Sequence, residues 1–135
     1  MNDAVIQLKQ ITRLYQMGES EVKALLDFSY TVRRGDFIAV IGPSGSGKST
    51  LMNIIGCLDK PTTGQYFLEN QEVSTLDKNQ LASMRNKKIG VIFQNFNLLP
   101  RTTALENTEL PLLYANVPKK QAVERSMQAL ESVGL

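Results

Sequence analysis

The chain has 135 residues and a formal net charge of +2, with 42% apolar and 21% charged residues. This composition excludes a disordered or low-complexity chain, and the small charge excess argues against a dedicated nucleic-acid binder. The sequence has one cysteine and no histidine, which excludes an intramolecular disulfide, a histidine-activated nucleophile and a histidine-ligated zinc, and favours a reducing compartment.

The sequence before the first glycine-rich segment predicts antiparallel β-structure followed by a buried strand. Partial alternation over residues 5–11 and a β-branched stretch over 22–32 indicate strands, separated by a polar turn at 16–21. Residues 37–41, Phe-Ile-Ala-Val-Ile, are apolar without alternation. Such a run is typical of a strand covered on both faces of a parallel sheet. A helix over 49–58 is predicted after the glycine-rich loop.

Strands and helices alternate in the rest of the chain, which favours an α/β fold. Asp77 is expected to cap a helix, Pro111 to kink or end one, and Asn116 to precede the last one. Beyond a turn at 59–64, the predicted elements are strands at 65–68 and 89–93 and helices at 78–87, 103–114 and 118–133.

Residues 42–49, Gly-Pro-Ser-Gly-Ser-Gly-Lys-Ser, match the phosphate-binding pattern G-x-x-x-x-G-K-[ST]. The motif lies between a predicted strand and a predicted helix, which is the context it requires. Glycines let backbone amides point at a phosphate, Lys48 adds a mobile positive charge, and Ser49 offers a hard oxygen to Mg²⁺. The predicted nucleotide-binding residues of this loop are Gly42, Pro43, Ser44, Gly45, Ser46, Gly47, Lys48, Ser49 and Thr50.

Three stretches of the sequence strongly resemble the ATP-binding subunits of ABC transporters: residues 41–51 around the loop, 58–64 and 89–100. The resemblance implies that Gln94 is the glutamine of the Q-loop, in contact with Mg²⁺ or water, and that Tyr15 stacks on adenine. Residues 15–19 and 105–112 are most similar to the macrolide-export and lipoprotein-release branch of the family.

The resemblance implies a P-loop NTPase fold of the ABC ATPase type, with an N-terminal antiparallel β portion and an incomplete helical subdomain. Residues 1–94 would form the ATP-binding core and 95–135 the start of the helical subdomain. The implied cofactors are ATP and Mg²⁺, with Lys48 and Gln94 as the catalytic residues and Ser49 and Gln94 at the metal.

The resemblance also implies partners. These are a second ATP-binding domain and transmembrane permease subunits, with no nucleic acid among them. The chain would then lie in the cytoplasm, peripheral to the inner or plasma membrane through the permease. Apolar residues in a predicted loop, Phe96, Leu98 and Leu99, would form the groove for the membrane subunit.

The sequence departs from the family pattern in three respects. The signature L-S-G-G-Q, the second nucleotide motif ending in Asp-Glu and the switch histidine are absent. We therefore expect the N-terminal portion of a longer domain, which binds nucleotide but hydrolyses it very slowly or not at all, and which is poorly soluble or partly folded when isolated. Two alternatives stay open: a small soluble P-loop phosphotransferase and a non-catalytic, truncated nucleotide-binding fragment.

Overall fold

The computed structural model describes residues 3–135. The chain forms two compact units, one reaching Arg85 and the other covering Asn86–Leu135. The predicted functional division, with an ATP-binding core over 1–94 and a helical portion over 95–135, stays a prediction. No helix within residues 3–135 is long and apolar enough to cross a bilayer.

The first unit is built on a long antiparallel hairpin of β1 (Ala4–Met17) and β2 (Ser20–Arg33), which turns at Gly18. The predicted strands over 5–11 and 22–32 are confirmed, and both extend further than the sequence pattern indicated. Each strand contains one residue in the left-handed region, Gln10 with φ 51° and Asp27 with φ 48°. The register of the pair shifts between Leu8 and Ile11 and again near Arg13, as expected of β-bulges.

Side-chain oxygens replace the ladder partners that the bulges remove. The Gln10 amide donates to Ser29 Oγ at 2.8 Å, and the Asp27 amide donates to Thr12 Oγ1 at 3.1 Å. These hydroxyls thus accept hydrogen bonds from the amides of the two residues with positive φ.

Two shorter strands, β3 (Thr63–Leu68) and β4 (Gln71–Glu72), complete a sheet with the order β2-β1-β3-β4, antiparallel throughout. Gly64 has φ +94°, and a Cβ built on it would lie 2.4 Å from the Gln10 carbonyl oxygen. Glycine is therefore required at the point where β3 approaches the bulge of β1.

The helix α1 (Lys48–Ile55) lies between β2 and β3 in the chain, and α2 (Lys78–Lys88) follows β4. The first unit ends at Arg85, so α2 has residues in both units. The predicted cap of α2 is confirmed: the Gln80 amide donates to Asp77 Oδ1 at 2.8 Å, and the Asp77 amide donates to Gln80 Oε1 at 2.9 Å. This reciprocal pair is a capping box.

The core of the first unit joins the sheet to α1. Tyr66, on β3, is fully buried, and its hydroxyl donates to the Ile55 carbonyl at the end of α1, at 2.8 Å. Burial raises the pKa of Tyr66, because the phenolate would lose its hydration. Cys57 is buried as well, and burial raises the pKa of its thiol. The other buried apolar residues of this unit are Ala4, Leu8, Ile11, Leu25, Leu51, Ile54, Leu68, Val73 and Leu81.

The second unit contains α3 (Ala104–Tyr114) and α4 (Lys119–Ser132), which pack against each other. Pro111 lies inside α3, so the helix does not end there. Proline removes one backbone hydrogen bond, and its position in the last turn confines that loss to the end of the helix. The cap of α4 is Pro118, without a side-chain hydrogen bond, and Asn116 instead adopts φ 57° in the preceding turn.

Two predicted strands are wrong. Residues 37–41 and 89–93 are irregular, and Phe37 and Ile92 are 98% and 101% exposed. A parallel strand needs neighbours along its edges, and among residues 3–135 no strand pairs with either run. An apolar run predicts burial, but residues 3–135 do not bury Phe37 or Ile92.

Candidate functional site

The glycine-rich loop over residues 42–49 leads directly into α1. The helix begins at Lys48, and its N-cap is Gly47, with φ 89° and ψ 2° in the left-handed region. Gly45 also has a positive φ, of 80°. Both conformations suit glycine, because a Cβ disfavours this region. The loop therefore reverses direction at Gly45 and enters the helix at Gly47.

A side chain at two glycines of the loop would make close contacts, and at Gly47 the contact is with backbone. A Cβ at Gly47 would lie 2.4 Å from the Ala24 carbonyl oxygen and 3.0 Å from Leu25 Cδ2, both on β2. A Cβ at Gly42 would lie 2.7 Å from Ser46 Oγ. The first contact is against backbone, which cannot move aside easily, so Gly47 fixes the start of α1 against the sheet.

Unpaired backbone amides collect at the start of α1. The first intrahelical bond joins the Leu51 amide to the Gly47 carbonyl at 2.9 Å. In the described part of the chain, no backbone carbonyl accepts from the amides of Lys48, Ser49 or Thr50. The cap has no side-chain hydrogen bond. These donors and the helix dipole make an anion-binding position.

The Lys48 ammonium group lies across the loop. Its Nζ donates to the carbonyl oxygens of Gly42 at 2.9 Å and Pro43 at 2.6 Å, and lies 3.4 Å from Ser46 Oγ. Carbonyl oxygens are weaker partners for an ammonium than phosphate oxygens, because the phosphate oxygens carry negative charge and the carbonyl oxygens do not. The lysine therefore bridges the loop with hydrogen bonds that an anionic ligand can replace.

Ser49 and Thr50 occupy the first turn of α1, next to Lys48. Ser49 is exposed and Thr50 is half-buried. An exposed hydroxyl is a hard oxygen donor of the kind Mg²⁺ prefers. The chemistry of the predicted metal ligand Ser49 thus fits the ion.

Tyr15 lies on β1, opposite Val22 on β2, and its side chain is half-buried. Its hydroxyl donates to Asp59 Oδ2 at 2.8 Å, and the Arg13 guanidinium lies over its ring with 4.4 Å between Cζ and the ring centroid. Arg13 also pairs with Asp59, with 2.9 Å between Nη2 and Oδ1. We call these three residues the Tyr15 cluster.

Sequence reasoning missed the Arg13 and Asp59 contacts with Tyr15. The sequence pattern places Asp59 in a predicted turn, and the two charged residues are 46 positions apart. The one available signal is the i, i+2 spacing of Arg13 and Tyr15, which places both side chains on one face of a strand.

Gln94 is exposed and lies in an irregular segment of the second unit. The loop residues 42–50 and Tyr15 all belong to the first unit. The role predicted for Gln94 stays a prediction. The exposed residues Phe96, Leu98 and Leu99 follow it, and the Leu99 amide donates to Asn107 Oδ1 at 2.8 Å.

Comparison with known proteins decides the family. The model of a family described as "ABC transporter" matches residues 25–135. This chain belongs to the ABC transporter family. An uncharacterised ABC transporter ATP-binding protein of Thermotoga maritima is 51% identical over 131 residues, which are 97% of this chain and 56% of the relative. The macrolide export ATP-binding/permease protein MacB of Aggregatibacter actinomycetemcomitans is 49% identical over 131 residues. The match covers 97% of this chain and 20% of that MacB protein.

A solved structure confirms the fold class of this ABC chain. The dimeric ATP-binding cassette MJ0796, in a post-hydrolysis state bound to ADP and Pi, matches with a TM-score of 0.84 and 43% identity, over 93% of this chain and 56% of that one. The chain thus has a partial P-loop ABC fold, with an antiparallel sheet and four helices within residues 3–135. It spans about half the length of the ATP-binding relatives that it matches.

Proposed function

We propose that this chain binds MgATP as part of the energy-coupling ATP-binding subunit of an ABC transporter. The observation that carries the proposal is the geometry at the start of α1. There the unpaired amides of Lys48, Ser49 and Thr50 adjoin a loop that the Lys48 ammonium group spans. This arrangement offers several donors and a positive charge to a polyphosphate, and it has no acidic residue in the first turn of α1 to repel one.

Binding of the triphosphate changes the hydrogen-bond partners of Lys48. The triphosphate takes the Lys48 ammonium group from the Gly42 and Pro43 carbonyls and accepts hydrogen bonds from the amides at the start of α1. Both glycines with positive φ, Gly45 and Gly47, keep the loop backbone close to the phosphates.

Ser49 would hold Mg²⁺ through its hydroxyl, with Gln94 as the proposed second protein ligand through its amide oxygen. When bound, the ion neutralises charge on the phosphates. Lys48 adds its own positive charge at the same phosphates, which is the catalytic role proposed for it. The Tyr15 ring provides a flat surface on which adenine stacks.

Hydrolysis and transport belong to the assembled protein. The sequence holds no L-S-G-G-Q and no apolar strand ending in Asp-Glu, so we propose that this chain alone turns ATP over very slowly or not at all. The proposed partners are a second ATP-binding domain and a transmembrane permease. Support comes from the dimeric state of the MJ0796 cassette and the joined permease of MacB.

The MacB relatives support an export or lipoprotein-release type of transporter, and with it a position on the cytoplasmic side of the inner or plasma membrane. The exposed side chains of Phe96, Leu98 and Leu99 are the proposed contact with the permease. An exposed apolar cluster in a loop is typical of an interaction surface.

Calorimetric titration of the chain with MgATP tests the proposal. We expect binding heat for the natural sequence and loss of at least about tenfold in affinity for Lys48→Ala, because a charge-assisted bond contributes about 1.5–3 kcal/mol. Lys120→Ala is the matched control: Lys120 is exposed near the start of α4, in the other unit. No binding by the natural chain, or equal loss in both variants, would contradict the proposal.

A further inference from the structure

The Tyr15 cluster links an aromatic ring to two charged groups through three separate contacts. Asp59 accepts from the Tyr15 hydroxyl through Oδ2 and from Arg13 through Oδ1, and its Oδ1 also accepts from the Lys60 amide at 2.8 Å. Arg13 covers one face of the Tyr15 ring at 4.4 Å. Both the edge and one face of the ring are therefore held, which restricts rotation about its side-chain bonds.

The Arg13–Asp59 pair of the cluster is more buried than the Arg34–Glu69 pair. The side chains of Arg13 and Asp59 are 23% and 25% exposed, whereas those of the Arg34–Glu69 pair are 72% and 38% exposed. Arg13 Nε is buried without a hydrogen-bond partner. An unpaired buried donor destabilises a fold, so this nitrogen offsets part of the stabilisation that the ion pair with Asp59 provides.

The Tyr15 cluster is connected to the phosphate-binding loop through the pairing of β1 with β2. Arg13 is paired with Leu25 on β2, and Tyr15 with Val22. The contacts that require glycine at position 47 are made by Ala24 and Leu25. The strand that bears the ring is thus hydrogen-bonded to the segment against which α1 begins.

We propose that Arg13 and Asp59 are positioning residues, which hold the Tyr15 ring in place as a preformed platform for the base of the nucleotide. This inference rests on the proposed function, because it assumes that a nucleotide binds at the loop. A ring that is already fixed loses little conformational freedom when a base stacks on it, and affinity rises accordingly. Arg13 occupies one face, so the base stacks on the opposite one.

The test compares two ligands, MgATP and magnesium tripolyphosphate, by calorimetry on the full chain. Both ligands engage the phosphate loop, but only ATP carries a base. For Arg13→Gln and for Tyr15→Phe we expect MgATP affinity to fall about 3- to 10-fold, the range for freeing one ordered side chain, with tripolyphosphate affinity unchanged within twofold. Tyr15→Phe keeps the ring and removes only the hydroxyl bond to Asp59.

Arg34→Gln is the matched control, since it removes the same charge from an exposed ion pair whose atoms are 3.5 Å apart. We expect it to leave both affinities unchanged. The positioning role is overturned if Arg13→Gln lowers the affinity for both ligands equally, or if Tyr15→Phe leaves the MgATP affinity unchanged. Neither result would contradict binding at the loop. If the natural chain binds neither ligand, the proposed function and this inference both fail. Tyr15→Phe also decides the matter if Arg13→Gln does not fold.

Discussion

The carbonyl oxygen of Ala24 fills the space that a side chain at Gly47 would need: a Cβ at Gly47 would lie only 2.4 Å from it. The contact joins the N-cap of α1 to the second strand of the hairpin. Glycine at this position of the motif therefore has a packing role that does not depend on any ligand.

Gly47→Ala is expected to destabilise the chain even without nucleotide. The left-handed conformation costs an alanine about 1–2 kcal/mol, and the clash with the Ala24 carbonyl adds to it. Gly45→Ala is the control, because Gly45 has a similar φ of +80° and open space where a Cβ would lie. Urea denaturation measures both variants; equal free energies of unfolding would show that the Ala24 contact contributes nothing.

The exposure of the apolar run at 37–41 predicts how a substitution there changes stability and aggregation. Phe37 is 98% exposed, whereas Ile54 is fully buried. Phe37→Ser should change the free energy of unfolding by less than about 0.5 kcal/mol and reduce aggregation of the isolated chain, because it removes exposed apolar surface.

Ile54→Ala is the contrasting variant, with an expected loss of about 2–5 kcal/mol from the emptied core position. Denaturation curves give the free energies, and light scattering gives the aggregation. A large loss of stability in Phe37→Ser would mean that Phe37 is buried in solution.

Local patterns were enough to predict the hairpin, β3, the helices and the glycine-rich loop that leads into α1. Glycine and lysine at fixed spacing specify the loop, and Asp77 with Gln80 caps α2 as its sequence suggests. The strands at 37–41 and 89–93 were wrong because an apolar run predicts burial but cannot show whether a ladder partner is present. The Arg13–Asp59 pair was missed for a related reason: contacts between residues 46 positions apart depend on the fold, not on local pattern.

Tyr66→Phe is expected to destabilise the first unit by about 1–3 kcal/mol, because the Ile55 carbonyl would lose its hydroxyl donor in a buried place. Since burial raises the pKa of Tyr66 above the ordinary value of 10.0, the stabilisation is complete below pH 10 and declines as the pH rises further. Unfolding curves from pH 8 to about 11 should show a smaller decline for Tyr66→Phe. Tyr114→Phe is the control, since Tyr114 is 77% exposed; the same change in both variants would contradict the buried bond.

The capping box of α3 predicts the acid response of the second unit. The Thr103 amide donates to Glu106 Oε2 at 2.7 Å, and its hydroxyl lies 3.0 Å from the same oxygen. These bonds hold the pKa of Glu106 below the ordinary value of 4.5, and the bond from the backbone amide has the larger effect. A lowered pKa means that the carboxylate stabilises the helix start above pH 4.5, and that this contribution is lost as the pH falls through the folded value.

An NMR titration of the Glu106 carboxyl checks this directly. We expect a pKa below 4.5 in the natural chain. In Thr103→Val the pKa should rise only part of the way, because the backbone amide, which is the larger cause, remains. Glu106→Gln should remove the acid-dependent loss of helix signal at the start of α3, since the amide oxygen still accepts but no longer titrates. A pKa at or above 4.5 in the natural chain would show that the box does not form in solution, and a full return in Thr103→Val would show that the hydroxyl, rather than the backbone amide, holds the carboxylate.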